Sequence, residues 1–344
     1  MIYYLIIVVL FLAYRLKRRE YCIFATILLT CFAGLRSNVV GIDTSMYEYL
    51  YNDLKYANDL GALIKEYRQD SEHIELGYFL SEFFFQKIIP FECFKIIQSF
   101  AAIAPFSYFI YKRSYNPVVS FVLFFTLPLF VLVSMSAMRQ GIAFGFTVLA
   151  IDSCIDRKLK KFLVMMSVAF LFHSSSLIIL PLYLLNYVRY RRTNMVWILP
   201  ILYLVFIMST PIFYFLNSYS RIDYDVGAAG GERMLLFFFL IYGTTFLVDD
   251  DSANCNINKW LIYMLLYTIA LWFVGMNLAA IFRLVVYTEV YIALFVPNVL
   301  ANINKKYKKI LTALIILGTI SAMSTLVVRT GVNHYYPYYF LWER

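Results

Sequence analysis

Apolar runs of roughly 15 to 22 residues recur from one end of this chain to the other, and that recurrence limits its fold more than any motif does. A helix of about 20 residues spans the ~30 Å hydrocarbon core of a bilayer. In lipid, only helices and closed barrels satisfy every backbone polar group. With 62% of its 344 residues hydrophobic and 19% aromatic, the chain exceeds the roughly 45–50% apolar share of soluble domains. The class is therefore an all-α, polytopic integral membrane protein, a single transmembrane domain over residues 1–344 with about 11–13 crossings. The net charge of +9 does not point to nucleic acid, because Lys and Arg lie in short loops between apolar spans, where they set topology. Cys22, Cys31, Cys93, Cys154 and Cys255 sit mostly within apolar runs, without metal-ligand spacing, and imply no disulfide framework.

Positive charge orients the spans. Arg15, Lys17, Arg18 and Arg19 follow the first, about 2–16, and mark the inner side; this span reads as a retained helix with its N-terminus outside. The second, about 21–36, delivers Arg36 to the outer face, and residues 37–73 are rich in acids, as an external segment is allowed to be. Residues 74–89 are apolar enough to cross, but Glu75, Glu82 and Gln86 form one helical stripe. If the segment crossed, Lys112–Arg113 and the basic run 157–161 would lie outside, so an interfacial or re-entrant helix is expected. Later spans are expected at about 92–111, 117–136, 138–154, 195–215, 233–248, 259–277, 283–299 and 310–328. Residues 161–188, basic at both flanks, read as two short helices turning at His173-Ser174-Ser175-Ser176, with Pro181 kinking the second. The tail, with Tyr335, Tyr336, Tyr338, Tyr339 and Trp342, reads as an interfacial aromatic belt. Segments 37–91 and 217–232 are the outer, substrate-facing elements.

In this topology Arg36, Arg139, Arg221, Arg233, Arg283 and Arg329 fall at or near the outer ends of spans, where topology alone does not require them. Arginine grips phosphate oxygens bidentately and stays charged when partly desolvated. An isolated Arg at depth costs about 2.5–3.5 kcal/mol, so an anionic partner is expected, and a lipid-linked phosphate or diphosphate suits. For Arg233 and Arg329, snorkelling to the headgroups is an equal reading. Arg139 lies in SMSAMRQGIAFG, with Gly141 and Gly145 allowing close helix approach. Arg283 starts an inward span in NLAAIFRLVVYTE, and Glu289, deeper in it, is expected to pair with an arginine, a buried proton site being the alternative. His173, the one histidine inside an apolar run, is either a general base for an attacking hydroxyl or a structural cap. Asp43 is either a turn residue or an outward carboxylate that orients sugar hydroxyls or acts as base. Thr44 and Tyr47 share that boundary and join Arg221, Arg233 and Glu289 as candidate substrate contacts. The pattern contains no paired acids, phosphate loop or metal constellation, and the chemistry is expected to need no metal or cofactor.

Four stretches occur in order: GLRSNVVGIDTSMY, ELGYFLSEFF, SMSAMRQGIAFGFTVLAI and KKFLVMMSVAFLFHSSSLIILPLYLL. Together they resemble the EpsG-like branch of the Wzy-type polymerases of bacterial surface polysaccharide (O-antigen, capsule or exopolysaccharide). The Ala-x-x-x-His before a small-residue turn is the most specific; Ser174 stands where many relatives are expected to have Pro, and past residue 190 only Arg283 matches. The resemblance implies a GT-C-like glycosyltransferase on the outer face of the cytoplasmic membrane. Such an enzyme moves the growing glycan from undecaprenyl diphosphate to a hydroxyl of an undecaprenyl-diphosphate-linked repeat unit. It implies Arg36, Arg139 and Arg283 on the diphosphate, and His173 as base with Asp43 second. Implied partners are the lipid-linked oligosaccharides, membrane lipid, and a flippase and chain-length regulator of the same pathway. An O-antigen-type ligase would use the same arginine–histidine logic. A lipid-linked oligosaccharide flippase or transporter is the non-enzyme alternative, against which stand the outer-side bias of the arginines and the lack of repeat halves.

Overall fold

The computed structural model describes residues 1–54, 75–189, 231–253, 256–276, 281–328 and 334–343, with Leu278 and scattered positions between 203 and 211. The chain runs through α1 (Ile2–Leu12), α2 (Arg18–Gly34), α3 (Thr44–Asp53), α4 (Leu76–Phe85), α5 (Phe91–Arg113), α6 (Pro117–Thr126), α7 (Met138–Ile155) and α8 (Leu159–Phe172). A 3-10 segment, Ser174–Tyr187, comes next, then α9 (Glu232–Gly243), α10 (Asn256–Gly275), α11 (Phe282–Glu289), α12 (Ile292–Val299) and α13 (Lys305–Val328). Among the described residues the only β pairing is an isolated bridge between Arg36 and Phe340. The protein is an all-α, multi-pass bundle.

Among the described residues, Phe91–Arg113, Ile257–Gly275, Arg283–Asn302 and Lys305–Val328 are long and apolar enough to cross a membrane; Pro117–Thr126 and Pro128–Ser136 make a further span bent by 70°. This is fewer unbroken crossings than the hydropathy runs suggest, because several runs are interrupted locally. Leu127, before Pro128, is extended (φ −69°, ψ 134°), as the residue ahead of a proline tends to be. The run 161–188 breaks at His173, as its polar turn predicts, and the expected span 233–248 is a helix only to Gly243 before a 3-10 turn. The expected span 195–215 lies almost wholly outside the described residues. Helix α4 has ten residues and a length of ~15 Å, half the hydrocarbon thickness. That suits the interfacial or re-entrant element expected near 74–89.

Charge separates the two ends of the bundle. Arg18 donates to the carbonyls of Tyr111 (2.6 Å) and Ser114 (2.6 Å), while Lys112 pairs with Asp152 (2.7 Å) and Asp156 (2.9 Å). The basic clusters at 15–19, 112–113 and 157–161 thus collect at one end. Helices α5 and α7 run the same way and approach closely, since a Cβ on Gly145 would lie 2.1 Å from the Ala101 carbonyl oxygen. Arg139, at the start of α7, therefore lies at the opposite end, with Arg36, Asp43 and His173.

The tail corrects one expectation. Tyr335 and Tyr338 do not form a lipid-facing belt but pack inward. Tyr335 is 2% exposed, its hydroxyl meets Ser136 Oγ at 2.7 Å, and its carbonyl accepts from Tyr3 Oη at 2.9 Å. Tyr338 stacks on Phe32 (centroids 4.8 Å apart). Backbone bonds Ser37 N–H to Tyr339 O (2.8 Å) and Leu341 N–H to Leu35 O (2.9 Å) strap the tail across the end of α2. Tyr336 and Trp342 remain exposed.

Candidate functional site

Two glycines bring the site together. At Gly77 a Cβ would lie 2.7 Å from the carbonyl oxygen of Leu171, so only glycine lets α4 lie this close to the last turn of α8. Glu75 stands two residues before Gly77 and His173 two residues after Leu171, and the close approach sets them side by side. Glu75 Oε1 accepts from His173 Nδ1 at 2.6 Å and from the Ser174 N–H at 3.2 Å. Its other oxygen accepts from Arg139 Nη1 at 2.9 Å, and Arg139 Nε donates to Tyr47 Oη at 3.2 Å. An ionised carboxylate only accepts, so the proton of a neutral His173 is assigned to Nδ1, and Nε2 keeps its lone pair. The side chains are neither sealed nor fully wet: His173 is 16% exposed, Glu75 17% and Arg139 22%. Burial pushes the Glu75 carboxyl up, but the His173 hydrogen bond, the charge His173 carries when protonated and the charge of Arg139 outweigh it, holding the group below its ordinary value of 4.5.

The second glycine shapes the turn before α3. Gly41 has φ +104°, and a Cβ there would meet the Met135 carbonyl oxygen at 2.4 Å. The turn ends at Asp43, which holds the N-cap position of α3 yet makes no side-chain cap bond. Asp43 is thus a turn residue by position, while its carboxylate makes no cap bond to α3. Burial pushes that carboxyl up from its ordinary 3.8, against the downward pull of the Arg283 and Arg139 charges, so both arginines lie within its field. Arg283 is exposed on the first turn of α11, and its carbonyl accepts from the Gln140 amide, which ties that turn to the residue after Arg139. Asp43, Tyr47, Glu75, Arg139, His173 and Arg283 thus occupy one region at one end of the bundle.

Other candidates are placed elsewhere. Arg36 is 0% exposed; its guanidinium donates to the carbonyls of Ala33, Val40 (3.1 Å) and Met135 (2.7 Å) and to Thr44 Oγ1 (3.4 Å). A group enclosed by backbone acceptors does not present itself to a diphosphate, and the expected contact gives way to a structural clamp. Thr44 is likewise buried, donating to Val40 O (3.0 Å) and Met135 O (3.1 Å), and is no substrate contact. Tyr47 is buried and reaches the site only through its hydroxyl. Glu289 is buried and accepts from the Trp272 indole at 3.2 Å, in place of the expected arginine. Arg233 is exposed on the first turn of α9. Arg221 lies outside the described residues. Among those residues, no three His, Cys, Asp or Glu side chains converge as metal ligands.

The residue of this group that sequence reasoning missed is Glu75. It was visible only as one member of a polar stripe whose other members, Glu82 and Gln86, are buried. The signal was its position two residues before a glycine, in a chain with one histidine within its apolar runs.

The fold and the site define a multi-pass helical membrane protein with a histidine–carboxylate–arginine chain at one end of its bundle. The chain belongs to the EpsG family, whose model matches residues 19–340, a family of polysaccharide-polymerase-like membrane proteins. No curated protein and no solved structure matches it.

Proposed function

We propose that the chain is a glycosyltransferase that polymerises bacterial surface polysaccharide. It moves the growing glycan from undecaprenyl diphosphate to a hydroxyl of an undecaprenyl-diphosphate-linked repeat unit, at the outer face of the cytoplasmic membrane. The observation that carries this reading is the hydrogen-bonded chain Tyr47–Arg139–Glu75–His173, with Asp43 in the field of Arg139 and Arg283. The acceptor oxygen attacks C1 of the donor sugar while His173 Nε2 takes its proton. The bond from C1 to the diphosphate oxygen breaks, and its electron pair leaves on undecaprenyl diphosphate. Glu75 acts through His173: it fixes the ring and balances the imidazolium charge, the role a buried carboxylate has in acyl-transfer triads. Arg139 and Arg283 stabilise the negative charge that develops on the leaving group. Asp43 orients acceptor hydroxyls and is the second candidate for the base. The outward orientation is supported by the basic clusters at the opposite end of the bundle.

Complementation tests the reading. In a strain lacking this protein, the wild type restores a ladder of repeat lengths on the cell surface. His173→Ala and Arg283→Ala, present in the membrane at wild-type levels, give single repeat units. Ladders from both variants would sink the assignment. Surface glycan missing altogether without the protein would favour a flippase, and full-length chains left unattached would favour a ligase.

A further inference from the structure

Helix α3 carries more than Tyr47. One turn on, Tyr51 stacks on Phe94 (5.0 Å between centroids) and donates to the Ile89 carbonyl at 2.9 Å. This packing holds α3 against the turn between α4 and α5 and leaves a cavity of about 120 Å³ between them. Glu48 and Asn52 line it from α3, Gln86 and Glu92 from the other side, and Pro90 and Phe91 give it an apolar wall. The space is well below the ~300–1,000 Å³ of sites that enclose a drug-sized ligand, so it suits a single ring.

The polar groups facing this cavity are mismatched with the protein itself. Gln86 is 8% exposed; its amide nitrogen donates to the Phe83 carbonyl at 3.2 Å, while its amide oxygen accepts no hydrogen bond from any described residue. Glu48 and Glu92, both partly exposed, accept no hydrogen bond from any described residue; Lys95, whose charge acts on both, is not among the described residues that line the cavity, and its ammonium is held by the Arg36 carbonyl and Asn38. Three acceptors to which no described residue donates, beside an aromatic and proline wall, suit a ligand with several donors and one apolar face. A sugar ring has both. A carboxylate or phosphate ligand would meet two like charges.

We propose that this cavity is a subsite for an uncharged sugar residue of the lipid-linked glycan. Its lining on α3 begins at Glu48, the residue after Tyr47, which ends the Tyr47–Arg139–Glu75–His173 chain on that side. The inference rests on the polymerase reading and adds to it a preference for neutral sugars on the α3 side of the site.

The test uses the full chain in lipid nanodiscs and, as probe, the repeat-unit oligosaccharide released by mild acid from the host's lipid pool. The wild type binds it, and neutral monosaccharides compete where their uronic acids do not. Gln86→Leu and the double variant Glu48→Gln/Glu92→Gln bind at least tenfold more weakly. Asn52→Trp, which fills the mouth from an exposed position without disturbing the core, does the same at an unchanged melting temperature. His173→Ala binds like the wild type but makes no polymer. Unchanged binding by all three cavity variants, preferential competition by uronic acids, or occupancy by calcium ions instead of glycan would overturn the subsite. A wild type that restores a surface ladder while the subsite fails leaves the polymerase reading standing; one that restores none removes that reading itself.

Discussion

Replacing Glu75 with glutamine keeps the volume of the side chain and removes its charge, at a point where two charge-assisted bonds converge. They reach the carboxylate from His173 at 2.6 Å and from Arg139 at 2.9 Å. Glutamine offers one oxygen and one NH2 group, so it can accept from one partner while presenting donors to the other. A hydrogen bond to a charged group contributes about 1.5–3 kcal/mol. The loss of one such bond at the transition state lowers the chain-joining rate by about 10- to 150-fold, at ~1.4 kcal/mol per factor of ten. The assay is the initial rate of extension of lipid-linked repeat units by purified protein, with kcat and KM separated. We expect the loss in kcat, and partial recovery in Glu75→Asp, which restores the charge on a shorter stem. A Glu75→Gln protein that melts like the wild type and works within twofold of its rate would refute the role of Glu75 in holding the base.

Three further outcomes rest on the same contacts. The depressed Glu75 carboxyl contributes stability that is complete above its ordinary value of 4.5 and is lost as pH falls through its lower folded value. Wild-type melting temperatures should therefore drop faster below pH 4.5 than those of Glu75→Gln, and parallel curves would contradict the pairing. Asp43 behaves oppositely: its carboxyl is raised, so ionising it works against the fold as pH rises, and Asp43→Asn at neutral pH should melt at or above the wild-type temperature while losing polymer. Arg36 and Arg283 should separate stability from chemistry. Arg36→Leu strips the Ala33 carbonyl of its side-chain donor and leaves the Gly41–Thr44 turn unclamped, costing ~1–3 kcal/mol per buried group left unsatisfied. It should fail to accumulate in the membrane, whereas Arg283→Ala should accumulate normally and make no polymer, as gel filtration and surface-glycan gels would report.

Periodic hydropathy and charge by themselves determined the class of this protein, because a bilayer admits only one way of satisfying the backbone of so many long apolar runs. They also placed His173 at a break, since four polar residues interrupt an apolar helix there, and kept residues 74–89 from being read as a crossing. The grouping of Arg139, Arg283, Asp43 and His173 was legible as a set of chemically unusual residues at span ends. Their partners were not. Glu75 and His173 are 98 residues apart in the chain, and only the packing of α4 on α8 at Gly77 makes them one unit. Arg36 and Arg139 look alike in sequence, each an arginine at the edge of an apolar run. Tertiary structure alone separates them: the Met135 carbonyl, in the segment after the bend at Pro128, accepts from Arg36 and helps enclose it. Arg139 is left partly exposed against a carboxylate that the fold brings to it from a distant segment. A sequence records which groups are costly to place in a membrane, but which of them are satisfied by the protein, and which remain for a substrate, is decided by contacts between residues far apart along the chain.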